Sequence, residues 1–229
     1  MKKGILTLFL LTSLLLQSQT TVTKGIGDFS TLKVYNGIEV QLIPSKEQKI
    51  EITGKKSERM KVKQVNNTLK FTLPFSLKAD ENSAEGEVRV KLFYNKPIGT
   101  IDANEGSIIT GSELNQTTVE LKTQERALIN LVINVDHTIV KASSGGVIKL
   151  TGTTKTQEVD ADLYGEYFGY GLETSQTSTV RAGSGAKVEI SAGTKLNAKV
   201  TFGGSIFYKG NPEVVKNKKV VGGLIQKKE

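Results

Sequence analysis

A short phrase recurs through the second half of this chain, and its period constrains the fold more than any other feature. The phrase is an apolar residue, a polar one, then a small or apolar one. It reads Ile101-Asp102-Ala103, Val119-Glu120-Leu121, Val140-Lys141-Ala142, Val159-Asp160-Ala161, Val180-Arg181-Ala182 and Ala198-Lys199-Val200. Successive copies start 18, 21, 19, 21 and 18 residues apart. A second apolar column follows at Ile148, Tyr167, Val188 and Ile206, and glycines lie between the columns at Gly106, Gly145-Gly146, Gly165, Gly185 and Gly203-Gly204. A repeat of this length, with short strands and Gly-marked corners, predicts a β-solenoid. Each coil then buries its apolar column against the next coil. Ala keeps the interior narrow, and Gly supplies the positive φ that a sharp corner needs.

The polar position of the phrase forms a column of its own: Asp102, Glu120, Lys141, Asp160, Arg181, Lys199. Coils stack about 4.8 Å apart, so these side chains become neighbours. Lys141 is expected between Glu120 and Asp160, and Arg181 beside Asp160. Facing opposite charges favour such a register by a few tenths of a kcal/mol each.

Residues 28–98 alternate with period two, as in Ile38, Val40, Leu42; Leu69, Phe71, Leu73; and Val88, Val90, Leu92. They read as antiparallel or loosely wound strands that pack on the solenoid or cap it. Asn66-Asn67 between two such runs is a hairpin signal. Lys78 to Glu87 reads as a polar loop. The coils are expected over 100–212. A C-terminal cap is expected over 213–226, with Pro212 blocking the ladder and the lysines of 216–228 discouraging edge pairing. Residues 227–229 are a basic tail end.

The chain opens like a secreted protein. Lys2 and Lys3 precede an apolar run from Ile5 to Leu16, and Gln17 to Thr20 are polar. That is the layout of a signal peptide at 1–19, with cleavage expected after Ser18 or Gln19 and a linker at 20–27. The run is short of the roughly 20 residues that span a bilayer. With no Cys in the chain, disulfides, thiolate metal sites and lipoprotein anchoring are excluded. Periplasmic, secreted or cell-surface placement is expected. The formal charge of +8 falls to about 8 − 2 = +6 without Lys2 and Lys3. Export argues against nucleic acid as the partner of these bases. An acidic polysaccharide or a lipid surface fits better, and a solvated face needs no partner.

Three stretches carry a family resemblance. Asp28-Phe29-Ser30-Thr31-Leu32-Lys33-Val34-Tyr35-Asn36-Gly37-Ile38-Glu39-Val40 opens it, the Gly/Ser/Ala-rich repeats fill the middle, and Ile206-Phe207-Tyr208-Lys209-Gly210-Asn211-Pro212-Glu213-Val214 closes it. In this order they resemble the auto-transporter adhesin head domain, or GIN domain, of secreted Bacteroidetes proteins, over roughly residues 28–226. The resemblance implies an all-β, right-handed, parallel β-helix-like fold. It brings no catalytic residues with it. The aromatic-rich coil from Tyr164 to Tyr170 and the charged segment from Lys78 to Glu87 depart from the family pattern.

Little in the chain reads as catalytic. His137 is the sole histidine, and no Gly-x-Ser-x-Gly elbow accompanies it. Gly183-Ser184-Gly185 lacks the third Gly and the helix of a phosphate cradle. Asp160 and Asp162 share a strand face; they form a weak candidate for a cation site or a glycosidase pair, against the simpler reading as rungs of the charge column. No cofactor is indicated. The better site candidates are aromatic: Phe168 and Phe207 fall in one outward column with Lys149 and Glu189, and Tyr164 and Tyr170 lie nearby. Outward aromatics suit sugar stacking or protein anchoring. A non-enzymatic binding or adhesin-like protein, with glycan as a candidate ligand, is the first reading. A polysaccharide-active lyase or glycosidase and a self-associating envelope scaffold are the alternatives.

Overall fold

The structure, a computed structural model, describes residues 21–229. The signal-peptide reading at 1–19 lies outside the described residues. Strand makes up 62% and helix 3%, wound into a β-solenoid of about seven turns. In chain order the strands are β1 (Val22–Gly25), β2 (Thr31–Val34), β3 (Glu39–Pro44), β4 (Lys49–Thr53), β5 (Lys61–Val65), β6 (Thr68–Thr72), β7 (Arg89–Tyr94), β8 (Thr100–Ala103) and β9 (Ile108–Thr123). They continue as β10 (Leu128–Ala142), β11 (Val147–Ala161), β12 (Glu166–Ala182), β13 (Lys187–Ser191), β14 (Lys195–Thr201), β15 (Ser205–Lys209), β16 (Val214–Val220) and β17 (Leu224–Lys227).

Two parallel ladders meet at one sharp corner. The first holds β2, β8, the C-terminal halves of β9 to β12, then β14 and β16; the second holds β3, the N-terminal halves of β9 to β12, then β13, β15 and β17. Each corner places two residues at positive φ, between 37° and 80°: Asn36-Gly37, Glu105-Gly106, Glu125-Arg126, Ser144-Gly145, Leu163-Tyr164, Ser184-Gly185, Phe202-Gly203 and Val221-Gly222. Two consecutive left-handed residues make a type I′ turn, which tightly joins adjacent strands. The Gly165 N–H closes one such turn onto the Asp162 carbonyl at 2.8 Å. The corners also bond to one another, as Tyr164 N–H does to Ser184 O at 3.1 Å. So the corner is itself a ladder.

Alternation along each strand supplies the core. Ile101, Leu121, Val140, Val159, Val180 and Ala198 stack coil on coil and are buried; Ala103, Thr123, Ala142, Ala161, Ala182 and Val200 form the next row inward. The second column pairs Ile148 with Tyr167, Tyr167 with Val188 and Val188 with Ile206. Tyr167 is fully buried and donates its hydroxyl to Gln157 Oε1 at 3.2 Å. Gln157 Nε2 in turn donates to Thr174 Oγ1 at 2.6 Å and to the Ser191 carbonyl at 3.1 Å. A buried amide is tolerated because its polar atoms find partners.

One copy of the repeat is shifted from its expected place. Leu121, not Val119, stacks on Ile101 and Val140, so Asp102 faces Lys122, and Lys141 lies between Lys122 and Asp160. The reason is the period of a strand. Val119, Leu121 and Thr123 all point inward and are buried, and a slip of two residues leaves every side chain on its own face. Glu120 lies one row over, yet Lys141 and Lys122 reach it at 2.8 and 2.9 Å.

The N-terminal region is more solenoidal than its sequence suggests. β2–β3 and β6–β7 are true parallel coils, with β6 on β2 and β7 on β3. Antiparallel strands cap them: β5 on β6, and β4 on β7 with β1 outside it. β1 therefore occupies part of the expected linker at 20–27. The order is also non-sequential, since β2–β3 lies between the β6–β7 coil and the β8–β9 coil. The Asn66-Asn67 hairpin forms as expected, with φ of 48° and 59° and Val65 opposite Thr68. The polar segment replaces the corner of the β6–β7 coil and carries a 3-10 turn at Ala79–Asn82.

The C-terminal end differs from the expected cap. β16 and β17 over 213–226 extend the ladders as a further coil, on β14 and β15. The inward positions of β16 fall to Val215, Asn217 and Lys219, all exposed, while Ile225 of β17 packs on Ile206. A polar amide and an ammonium pointing inward discourage another strand from stacking there.

Candidate functional site

The ladder after the corner presents the aromatic face. Lys149, Phe168, Glu189 and Phe207 align on successive coils, as the repeat predicts. Ammonium groups lie over these rings. Lys149 and Lys187 Nζ are 5.6 and 5.1 Å from the Phe168 ring centre, Lys228 Nζ is 4.9 Å from that of Phe207, and Lys209 Nζ is 5.3 Å from that of Tyr170. Each contact at such separations gains about 0.5–1 kcal/mol when exposed. The three rings are half-buried. Burial, then the charge of Glu189, pushes the Tyr170 phenol above its ordinary range, so it stays neutral.

Lys187 also pairs with Glu189 at 2.6 Å, the residue that stands between Phe168 and Phe207 in the column. The face thus offers apolar rings and cations in one surface. Only Lys149 among these cations stands in the aromatic column itself. The others come from neighbouring rows, where alternation hides which ring each lysine reaches.

Tyr164 does not join this face. It stands in the corner Leu163-Tyr164, exposed, with its ring packed so tightly over Gly185 that a Cβ there would meet it at 2.7 Å.

The ladder before the corner presents a groove of about 500 Å³, lined on its outer rows by Lys141, Asp160, Arg181, Lys199, Lys216 and Lys218. Asp160 and Asp162 do share a face, and both are held by Arg181, at 2.5 and 3.3 Å. Ser184 is the main cause holding the Asp162 carboxyl below the usual aspartate range; the Leu163 N–H and Arg181 add to this, against an opposing effect of burial. Asp160 stands in the charge column between Lys141 and Arg181, and Asp162 lies two residues further along, at the corner. Among the described residues, no three His, Asp or Glu side chains are grouped to hold a metal ion. His137 is exposed on the outer surface, with Nδ1 2.8 Å from Thr156 Oγ1. No helix among the described residues is long and apolar enough to cross a membrane.

Comparison with known proteins agrees with this geometry. No curated protein matches the chain by sequence. Three solved structures share the fold. A putative adhesin from Bacteroides fragilis NCTC 9343 superposes with a TM-score of 0.83 at 16% identity, covering 93% of this chain and 98% of its own. A putative adhesin from Parabacteroides merdae ATCC 43184 gives 0.68 at 17%, covering 92% and 96%. A putative lipid binding protein from Parabacteroides distasonis ATCC 8503 gives 0.66 at 18%, covering 92% and 97%. The profile of one family spans residues 28–212, from the strand that opens the first coil to the proline before the last. The chain therefore belongs to the family described as putative auto-transporter adhesin, head GIN domain.

Proposed function

We propose that this protein is an exported, non-enzymatic, adhesin-like binder of acidic glycans, and that Phe168, Tyr170 and Phe207 with their lysines form its binding face. The observation that carries the reading is the placement of four ammonium groups over three rings on two coils with a single coil between them. A sugar acid presents an apolar C–H face and an anionic group on one ring. The aromatic rings suit the first and the lysines the second. Phe168 and Phe207 lie two rungs apart, about 9.6 Å along the solenoid axis, so successive sugar units of an extended chain can reach both. Family membership supports adhesion rather than catalysis, and Asp160 and Asp162, the pair weighed for a lyase or glycosidase, are both engaged by Arg181.

The test is a glycan-array screen of the mature protein, followed by titration of the best ligand. Retention is expected on uronic-acid or sulfated glycans, falling at least about tenfold for Phe168→Ala with Phe207→Ala and weakening with salt. Unchanged retention by that variant on every glycan that holds the parent protein would refute the proposal.

A further inference from the structure

The stacked corners change character towards the C-terminal end. The early ones carry Asn36, Glu105, Glu125 with Arg126, and Ser144; the later ones carry Leu163-Tyr164, Phe202 and Val221, with the polar Ser184-Gly185 corner between Tyr164 and Phe202. These four apolar side chains are 54%, 73%, 64% and 69% exposed. All four also hold positive φ. A left-handed backbone is disfavoured for any bulky side chain and most for β-branched Val. So each position is unfavourable twice over, once for its backbone and once for its exposure to water. Asn-Gly, the pair found at Asn36-Gly37, would make the same turn without either penalty. Strain that persists where the fold does not need it points to a role for the side chain.

One flank of this ridge is basic. The groove before the corner carries Lys199, Lys216 and Lys218, none of which has an ion-pair partner among the described residues. The first row after the corner is mixed: Glu166, Lys187 paired with Glu189, Ser205 and exposed Leu224. Of the carboxylates nearby, Asp160 and Asp162 pair with Arg181 and Glu189 with Lys187, while Glu158 in the groove and Glu166 beside Lys187 have no ion-pair partner among the described residues. The corners lie in one line, a rung apart, so the apolar tips can meet a planar surface together. An apolar line beside a row of unpaired ammonium groups is the pattern of a surface that rests on anionic lipid, with tips among the acyl chains and lysines at the headgroups.

We propose that the C-terminal end of the corner ridge, Leu163, Tyr164, Phe202 and Val221, docks the protein on an anionic lipid surface. The site is distinct from the aromatic face, and neither proposal depends on the other.

The probe is vesicle co-sedimentation of the mature protein, on phosphatidylcholine alone and on phosphatidylcholine with a roughly one-third share of phosphatidylglycerol. The variant is Phe202→Asn with Val221→Asn, which suits the left-handed turn. Partitioning to anionic vesicles is expected to fall at least about tenfold while the melting temperature stays level or rises. A packing role for these residues would instead lower it. Phe75→Ser with Leu77→Ser, exposed at the opposite end of the edge beyond Glu105 and Glu125, is expected to leave partitioning unchanged. Equal loss in that control means general stickiness and overturns the proposal. So does undiminished binding by the Asn variant, or absence of binding to anionic vesicles by the parent protein.

Discussion

Gly169 makes room for the Tyr167 ring in the solenoid interior. A Cβ built there lies 2.5 Å from Cζ and Oη of Tyr167 and 2.7 Å from its Cε1. Backbone conformation does not require this glycine, because its φ is outside the left-handed region. Space does. The Tyr167 ring is fully buried between Ile148 and Val188 and is tied to Gln157 through its hydroxyl, so it has nowhere to turn. Gly169→Ala is therefore an overpacking change, expected to cost about 1–3 kcal/mol. For a chain of this size that lowers the melting temperature by roughly 2–12 °C. Denaturant titration of the mature protein reads the same loss as a shift in midpoint at constant slope. The decisive comparison uses Tyr167→Leu, which removes the obstructing ring. In that background Gly169→Ala should become neutral or favourable by roughly 0.4–1 kcal/mol, since Ala orders the unfolded chain. Equal destabilisation in both backgrounds would refute the steric argument, because the cycle would then show no coupling between the two positions.

Two further outcomes follow from the described geometry. Asp162 has a depressed pKa, caused first by Ser184, so its contribution to stability is present above the ordinary aspartate range and is lost as pH falls through the folded value. Thermal melts between neutral pH and pH of about 3 should show this loss, and Ser184→Ala should flatten it over that acid range; an unaltered profile would count against the assignment. Thr123 stands in a row otherwise filled by Ala and Val, and its Oγ1 is the one buried side-chain polar atom without a partner among the described residues. Thr123→Val keeps the shape and removes that hydroxyl, so a gain of about 1 kcal/mol in chemical denaturation is expected, and a loss would mean that the hydroxyl is satisfied.

The fold was legible where apolar positions and glycines agreed on one phase. From Val140 to Val200 every copy of the repeat stacks where the spacing puts it, and the Lys149–Phe168–Glu189–Phe207 column follows. At 119–123 three inward residues in succession left two phases equivalent, and the charge column slipped by two. Residues 28–98 hid their topology for another reason. Alternation reports which face a residue occupies and says nothing of which strand lies beside it, so the insertion of β2–β3 between two later coils left no local trace. The lysines over the aromatic rings were hidden by reach: a flexible side chain crosses rows that the backbone register keeps apart. The corners were readable where Gly stood at the left-handed positions. They were obscure at Leu163-Tyr164, where Gly165 drew attention one residue too far; that glycine is needed because a Cβ would meet the Ala142 carbonyl oxygen at 2.1 Å.

The interlaced N-terminal coils make the two ends of the molecule mechanically unequal. The last coil is joined to the body only through β14 and β15, and each coil before it holds its successor in the same serial way. Traction on the C-terminal side peels such a stack one rung at a time, breaking few hydrogen bonds at any moment. Traction entering from the N-terminal side first strips β1 from β4 and then meets β2–β3, clamped between coils built from later sequence. To withdraw that pair, two ladders on each side must shear together. A surface protein held by its N-terminal end would therefore carry load through its most interlocked part, leaving the peelable end free to meet whatever it touches.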